Sequence, residues 1–159
     1  AGSQGTMNNF VWGNAEFQNY ETIAGGTGAG PGFHGCDAVQ THMTNTKMTD
    51  PEILEGRFPV RLRSFAIRRG SRGAGAYRGG HGALRRLEFL TDVTVTTLCS
   101  HRTIPPFGAA GGGAGATGEN WAELPDGRQV ALQGNDEIDL PAGSIFGLAT
   151  PGGGGWGTG

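Results

Sequence analysis

Residues 58–68, FPVRLRSFAIR, decide the fold class. Phe58, Val60 and Leu62 fall on even positions and Phe65 and Ile67 on odd ones, so apolar and polar side chains alternate as in a β-strand but change parity once. Side chains on a strand repeat every second residue, and a change of parity needs one extra residue. The run therefore predicts a β-bulge or bend near Arg63-Ser64, after which the strand changes partner or sheet.

Working outward, residues 84–90 and 93–99 read as two further strands joined by Thr91-Asp92, the second rich in Val and Thr. Toward the C-terminus, residues 120–124 and 128–133 flank Pro125-Asp126-Gly127, a hairpin signal, and residues 137–140 and 144–149 flank Pro141-Ala142-Gly143 in the same way. Toward the N-terminus, Phe10-Val11-Trp12 is a short strand returning through Gly13-Asn14 as residues 17–23. Residues 39–44 alternate, which puts Val39, Thr41 and Met43 on one face and Gln40, His42 and Thr44 on the other. A short helix starts at Thr49-Asp50-Pro51-Glu52, capped by Thr49 or Asp50, and Gly56 is placed to stop it in a left-handed conformation. The expectation is a mainly β domain, a sandwich or open barrel of about nine short strands with one short helix near residues 50–56 and long glycine-rich loops.

A chain of 159 residues fits a single domain. Its 32 glycines compare with roughly 11 at ordinary usage, so the backbone must turn or pack closely at many points. A net charge of −2 gives no basis for a nucleic-acid or anionic-membrane partner, and no apolar run is long enough for a membrane-spanning helix. Two cysteines suit reduced thiols and a cytoplasmic location better than a disulfide scaffold. The absence of an initiator methionine at Ala1 reads as a piece of a longer protein.

Potentially reactive groups concentrate between Tyr20 and Glu52. The loop AGGTGAGPG at residues 24–32 offers backbone, either as an anion nest or as a site of close packing; it is not a Walker A loop, because no Lys-Ser or Lys-Thr follows. His42 stands beside Gln40, Thr44 and Asn45 as a candidate base or proton donor, with a histidine satisfied in a polar network as the alternative. Glu21 offers the same cluster a carboxylate. The pairs His34/Cys36 and Cys99/His101 have the makings of a Cys₂His₂ set, but not at the spacing of a familiar zinc module, and no metal ligand is assigned to this chain. The arginines at positions 61, 63, 68, 69, 85 and 86 read as solvated strand faces or a partner surface.

The segments SQGTMNNF, YETIAGGTGAGPGFHG, THMTNTKMTDPEILEGRFPVRLRSFAIRRGS, YRGGHG and TPGGGGWG resemble, in order, the C-terminal end of the hydantoinase B/5-oxoprolinase family, and THMTNTKMTDPEILE points to the 5-oxoprolinase branch. The resemblance implies that residues 1–159 form a single C-terminal β domain, a fragment of a longer hydantoinase B-type chain. It implies ATP-dependent opening of a cyclic amide, 5-oxoproline or a hydantoin as in N-methylhydantoinase, by an enzyme that works with a hydantoinase A-type ATP-binding subunit or domain and forms an oligomer. ATP and a divalent metal are expected in the complete enzyme and no cofactor in this chain, which alone is expected to be inactive. The residues assigned are His42, Asn45 and Glu21 as catalytic, with Gly25, Gly26 and Thr44 against the substrate. A non-catalytic clamp for the partner subunit, or part of a related ketone carboxylase, are the alternatives. Two positions depart from the family pattern: Ser71-Arg72-Gly73 stands where it usually reads Ser-Gly-Gly, and Cys99-Ser100-His101-Arg102 where it usually reads Thr-Glu-Arg-Arg.

Overall fold

The computed structural model describes residues 1–42 and 44–159. Two antiparallel sheets face each other. One has the order β2 (Gln18–Thr22), β1 (Asn8–Gly13), β5 (Val93–Cys99), β8 (Asn135–Leu140). The other has the order β3 (Val60–Arg68), β4 (Gly82–Phe89), β9 (Ile145–Ala149), β6 (Glu119–Glu123), β7 (Gln129–Leu132). Among the described residues there are nine strands and one helix, in an open sandwich.

The core lies between the sheets, where alternate residues of each strand point inward. Phe10 of β1 meets Phe146 of β9 with ring centroids 4.8 Å apart, and Trp12 packs on Phe58 and Phe89. In β3 the pairing slips between Leu62 and Ser64, at the bulge that the change of parity requires. Leu62 opposes Leu87 before the bulge and Phe65 opposes Arg85 after it, so Phe65 returns to the side of the sheet that carries Leu62 and the strand stays on β4 throughout. The expected change of partner does not occur, because the bulge alone restores the register.

Helix α1 (Pro51–Arg57) is capped by Asp50, whose side chain accepts from the Glu52 N–H at 2.9 Å, and it buries only Leu54. Gly56 is an ordinary helical residue and not the stop; the helix ends where Phe58 turns extended and its N–H reaches the Leu54 carbonyl. The hairpin at residues 125–127 joins β6 to β7 as expected, but residues 141–143 do not make one. There β8 passes to the opposite sheet as β9, a corner with the same turn chemistry as a hairpin. Residues 39–44 do not form the expected strand either. Val39 makes one isolated bridge to Gly25 and is 44% exposed, His42 turns left-handed, and Met43 lies outside the described residues.

Most of the chain belongs to neither sheet. Residues 150–157, TPGGGGWG, run through the middle of a bundle of extended glycine-rich segments, with residues 150–155 all buried. The N–H groups of Gly152 and Gly155 donate to Ala116 and Gly113, those of Gly153 and Trp156 to Gly80 and Tyr77, and that of Gly154 to Gly2. On the acceptor side, the carbonyls of Pro151 and Gly154 take the N–H groups of Gly26 and Ala29. Every third residue of the axis thus faces the same neighbour, and the partners are themselves spaced by three, which is the repeat of a polyproline II helix rather than of a strand. Packed this closely, the segments leave no room for side chains. A Cβ on Gly153 would stand 1.8 Å from the Thr27 carbonyl oxygen, and one on Gly80 1.8 Å from that of Cys36. Thr150 welds the bundle to the sheet, its hydroxyl donating to the Ala24 carbonyl at 2.9 Å and accepting the Ala83 N–H at 2.7 Å.

Candidate functional site

The glycine loop at residues 24–32 spends its donors on the bundle. The N–H groups of Gly26, Thr27, Ala29 and Gly30 go to Pro151, Cys36, Gly154 and Phe33, and that of Gly28 to the Ser3 hydroxyl. With five successive donors committed, the loop is close packing and does not fit an anion nest.

Beyond this loop the chain crosses to a polar turn. Thr41 and Thr44 close on each other: the Thr44 hydroxyl donates to the Thr41 carbonyl at 2.6 Å and accepts the Thr41 N–H at 3.1 Å. Gln40 straps the turn to the end of β2, donating to the Thr22 carbonyl at 3.2 Å. Within this turn His42 has φ of 56°, and Ala38 just before it has 44°. Left-handed backbone is costly for residues with a Cβ and persists where surroundings over-determine it. His42 and Asn45 are exposed and Thr44 is half-buried.

Behind the turn lies a buried amide pair. Asn8 donates to Gln4 Oε1 at 2.7 Å, and Gln4 Nε2 faces the Val39 carbonyl at 3.5 Å and Thr41 Oγ1 at 3.4 Å. Gly25 makes this approach possible, since a Cβ there would stand 2.3 Å from Gln4 Oε1. Asn8 Oδ1 in turn accepts from Arg102 Nη1 at 2.8 Å.

Arg102 stands in the wall of a cleft of about 1100 Å³ lined from both sheets by Cys99, Asn120, Trp121 and Arg86, with His101 at its rim. Its guanidinium also donates to Asn120 Oδ1 and the Ser100 carbonyl. Burial lowers the Arg102 pKa from its ordinary value, opposed by the neighbouring Cys99. Burial likewise pushes the Cys99 thiol up, opposed by the charge on Arg102. His101 has φ of 54°, and its Nδ1 lies 2.7 Å from the Ile104 carbonyl, which can only accept, so Nδ1 donates there.

The structure separates the residues singled out from the sequence. Glu21 is buried and holds the Arg85 guanidinium with both oxygens, 64 residues away. Gly25 and Gly26 are buried beneath Gln4 and against Pro151. Thr44 and His42 share the turn, and Asn45 follows it. Sequence reasoning missed Asn8, Gln4 and Arg102; the one available signal was that SQGTMNNF, within the resemblance, carries three amides in six residues. Cys36 and Cys99 are free thiols, and among the described residues no three His, Cys, Asp or Glu side chains converge as metal ligands.

Residues 1–159 match the family model described as hydantoinase B/oxoprolinase. The chain is 47% identical over 156 residues to 5-oxoprolinase 1 of Arabidopsis thaliana, covering 98% of this chain and 12% of the plant protein. It is 44% identical over 157 residues to the 5-oxoprolinase of Dictyostelium discoideum, again 12% of that protein's length and 99% of this chain. The crystal structure of an ATP-dependent caprolactamase from Pseudomonas jessenii has the same fold, with a TM-score of 0.77 at 20% identity over 99% of this chain and 30% of its own.

Proposed function

This chain belongs to the hydantoinase B/oxoprolinase family, and on that premise we propose that it is the C-terminal β domain of an ATP-dependent cyclic-amide hydrolase that opens 5-oxoproline to glutamate. The observation that carries the reading is the identity to two 5-oxoprolinases, 47% and 44%, sustained across nearly the whole chain. A hydantoin ring is the other substrate of the same chemistry.

An amide carbonyl is a poor electrophile, and ATP with a divalent metal supplies the activation that makes its oxygen a leaving group. The residues here do not fit either group: the glycine loop has no free run of donors, and no metal set converges among the described residues. That machinery is assigned to the remainder of the enzyme, including a hydantoinase A-type unit in an oligomeric assembly. This chain supplies one wall of the pocket. His42, exposed on its strained turn, accepts or delivers a proton at the opening ring, and the Asn45 amide and Thr44 hydroxyl hydrogen-bond its polar atoms. Glu21 is held by Arg85 in the core, Gly25 lets Gln4 reach the turn from behind, and Gly26 packs against Gly80 and Gly153.

Alanine at His42 or Asn45 in the complete enzyme should abolish most turnover while leaving assembly intact. Dissociation with normal chemistry would instead favour a clamp for the partner subunit, a reading supported by Phe65 and Ile67, 49% and 39% exposed on edge strand β3. The chain by itself, given ATP, magnesium and 5-oxoproline, should release neither ADP nor glutamate.

A further inference from the structure

The polar path from the cleft to the His42 turn has a direction, and an arginine sets it. A guanidinium can only donate, so the Asn8 atom that faces Arg102 Nη1 at 2.8 Å must be Oδ1. That choice turns Asn8 Nδ2 toward Gln4 at 2.7 Å and makes the Gln4 atom there Oε1. Gln4 Nε2 is then left facing the Val39 carbonyl and Thr41 Oγ1, and Thr41 Oγ1, having accepted, has its own hydrogen for the Gly5 carbonyl at 3.5 Å. No amide in the path can flip without setting oxygen against oxygen or leaving a buried donor unpaired. Gln4 and Asn8 are each 1% exposed, so water cannot replace a lost partner.

We infer that Arg102, Asn8 and Gln4 are positioning residues for the turn that carries His42, with the polarity imposed by the half-buried guanidinium passed through the two amides to Val39 and Thr41. Two features agree. The path ends on residues bracketed by left-handed backbone at Ala38 and His42, a conformation that needs outside support. The path also spans 94 residues of sequence between Asn8 and Arg102, so it ties the N-terminal segment and the cleft wall to the turn as one unit. Only the catalytic consequence rests on the proposed function; the structural coupling stands apart from it.

The test is Asn8→Asp. Aspartate keeps an acceptor for Arg102 and gives it a counter-charge, so the cleft end is retained, but it can no longer donate to Gln4. Gln4 must then turn its nitrogen to Asp and its oxygen to the Val39 carbonyl. Amide hydrogen exchange at Thr41 and Thr44 should accelerate about tenfold, the scale of one lost hydrogen bond, while exchange in β1, β4 and β5 stays unchanged. Gln4→Met, which keeps the volume and removes both donors, should do the same and serves if Asn8→Asp does not fold. In the complete enzyme kcat should fall with KM little changed. Unaltered exchange at Thr41 and Thr44 in either folded variant overturns the coupling. Selective acceleration with unaltered kcat overturns the positioning role. An enzyme inactive on 5-oxoproline in every form would count against the proposed substrate and leave the exchange result decisive for the coupling.

Discussion

Glu21 of β2 and Arg85 of β4 form an ion pair between the two sheets, 7% and 2% exposed, with the Phe65 ring 5.6 Å above the guanidinium. Arg85 points inward among Leu87, Phe89 and Ala83, where a cation without a partner is costly. Asn19 adds a third contact, donating to Glu21 Oε1 at 3.4 Å.

Removing one partner strands the other. Glu21→Ala should therefore cost about 3 kcal/mol or more of unfolding free energy, because Arg85 stays buried and charged. Replacing both by Met should recover most of that loss, since apolar residues of similar volume suit the site. Denaturant midpoints for Glu21→Ala and the double variant decide it; a loss of under about 1 kcal/mol for Glu21→Ala would mean that Arg85 reaches water.

The glycines divide by what surrounds them. Gly153→Ala sets a methyl into the Thr27 backbone at the centre of the bundle, and should cost at least about 3 kcal/mol, the upper range for overpacking. Gly56 sits in α1 with nothing within 4 Å of the added carbon. Gly56→Ala should stabilise by about 0.5–1 kcal/mol through helix propensity alone. Thermal unfolding of the two variants should move in opposite directions.

What was legible in the sequence was whatever side-chain alternation encodes locally. Phe58 to Ile67 announced a strand and its bulge because parity is counted along a few residues, and Pro125-Asp126-Gly127 announced its hairpin. The same turn chemistry at Pro141-Ala142-Gly143 misled, because a turn fixes a reversal of direction but not which sheet the next strand joins. The tail at residues 150–157 was illegible for another reason: polyglycine carries no side-chain pattern, and its threefold repeat appears only in its bonding partners. His42, Thr44 and Asn45 are legible in the sequence as neighbours because they stand together in the chain. The Glu21–Arg85 pair and the path from Arg102 to Gln4 are not, because each joins residues far apart in the chain.

The two cysteines should label at different rates. Cys36 is exposed, whereas burial raises the pKa of Cys99 above its ordinary value of 9.0 and outweighs the help of Arg102. Alkylation at mildly alkaline pH should modify Cys36 first and leave Cys99 largely unreacted. The sign for stability follows. The folded state holds the Cys99 proton more tightly than the unfolded chain, so this contribution is fully present below the unfolded thiol pKa and is lost as pH rises through the folded one. Cys99→Ser should flatten that alkaline limb; an unchanged limb, or equal labelling rates, would place the thiol in water.

Glu123 sets the opposite limb. Its carboxyl is held below its ordinary value of 4.5 chiefly by the Trp121 indole N–H, which donates to Oε1 at 3.0 Å, and further by Arg86, whose Nη2 spans both oxygens at 2.8 Å. A depressed folded-state pKa contributes stability that is present above the unfolded value and lost as pH falls through the folded one. Trp121→Phe keeps an aromatic ring over Gly147 but removes the donor. The Glu123 titration followed by NMR should then move up toward its ordinary value, and the variant should lose less stability than the parent between neutral pH and the acid side of that titration. Arg86 remains in place, so the shift should be partial. A Glu123 titration that does not move would make Arg86 the dominant partner and reverse the order of the two causes.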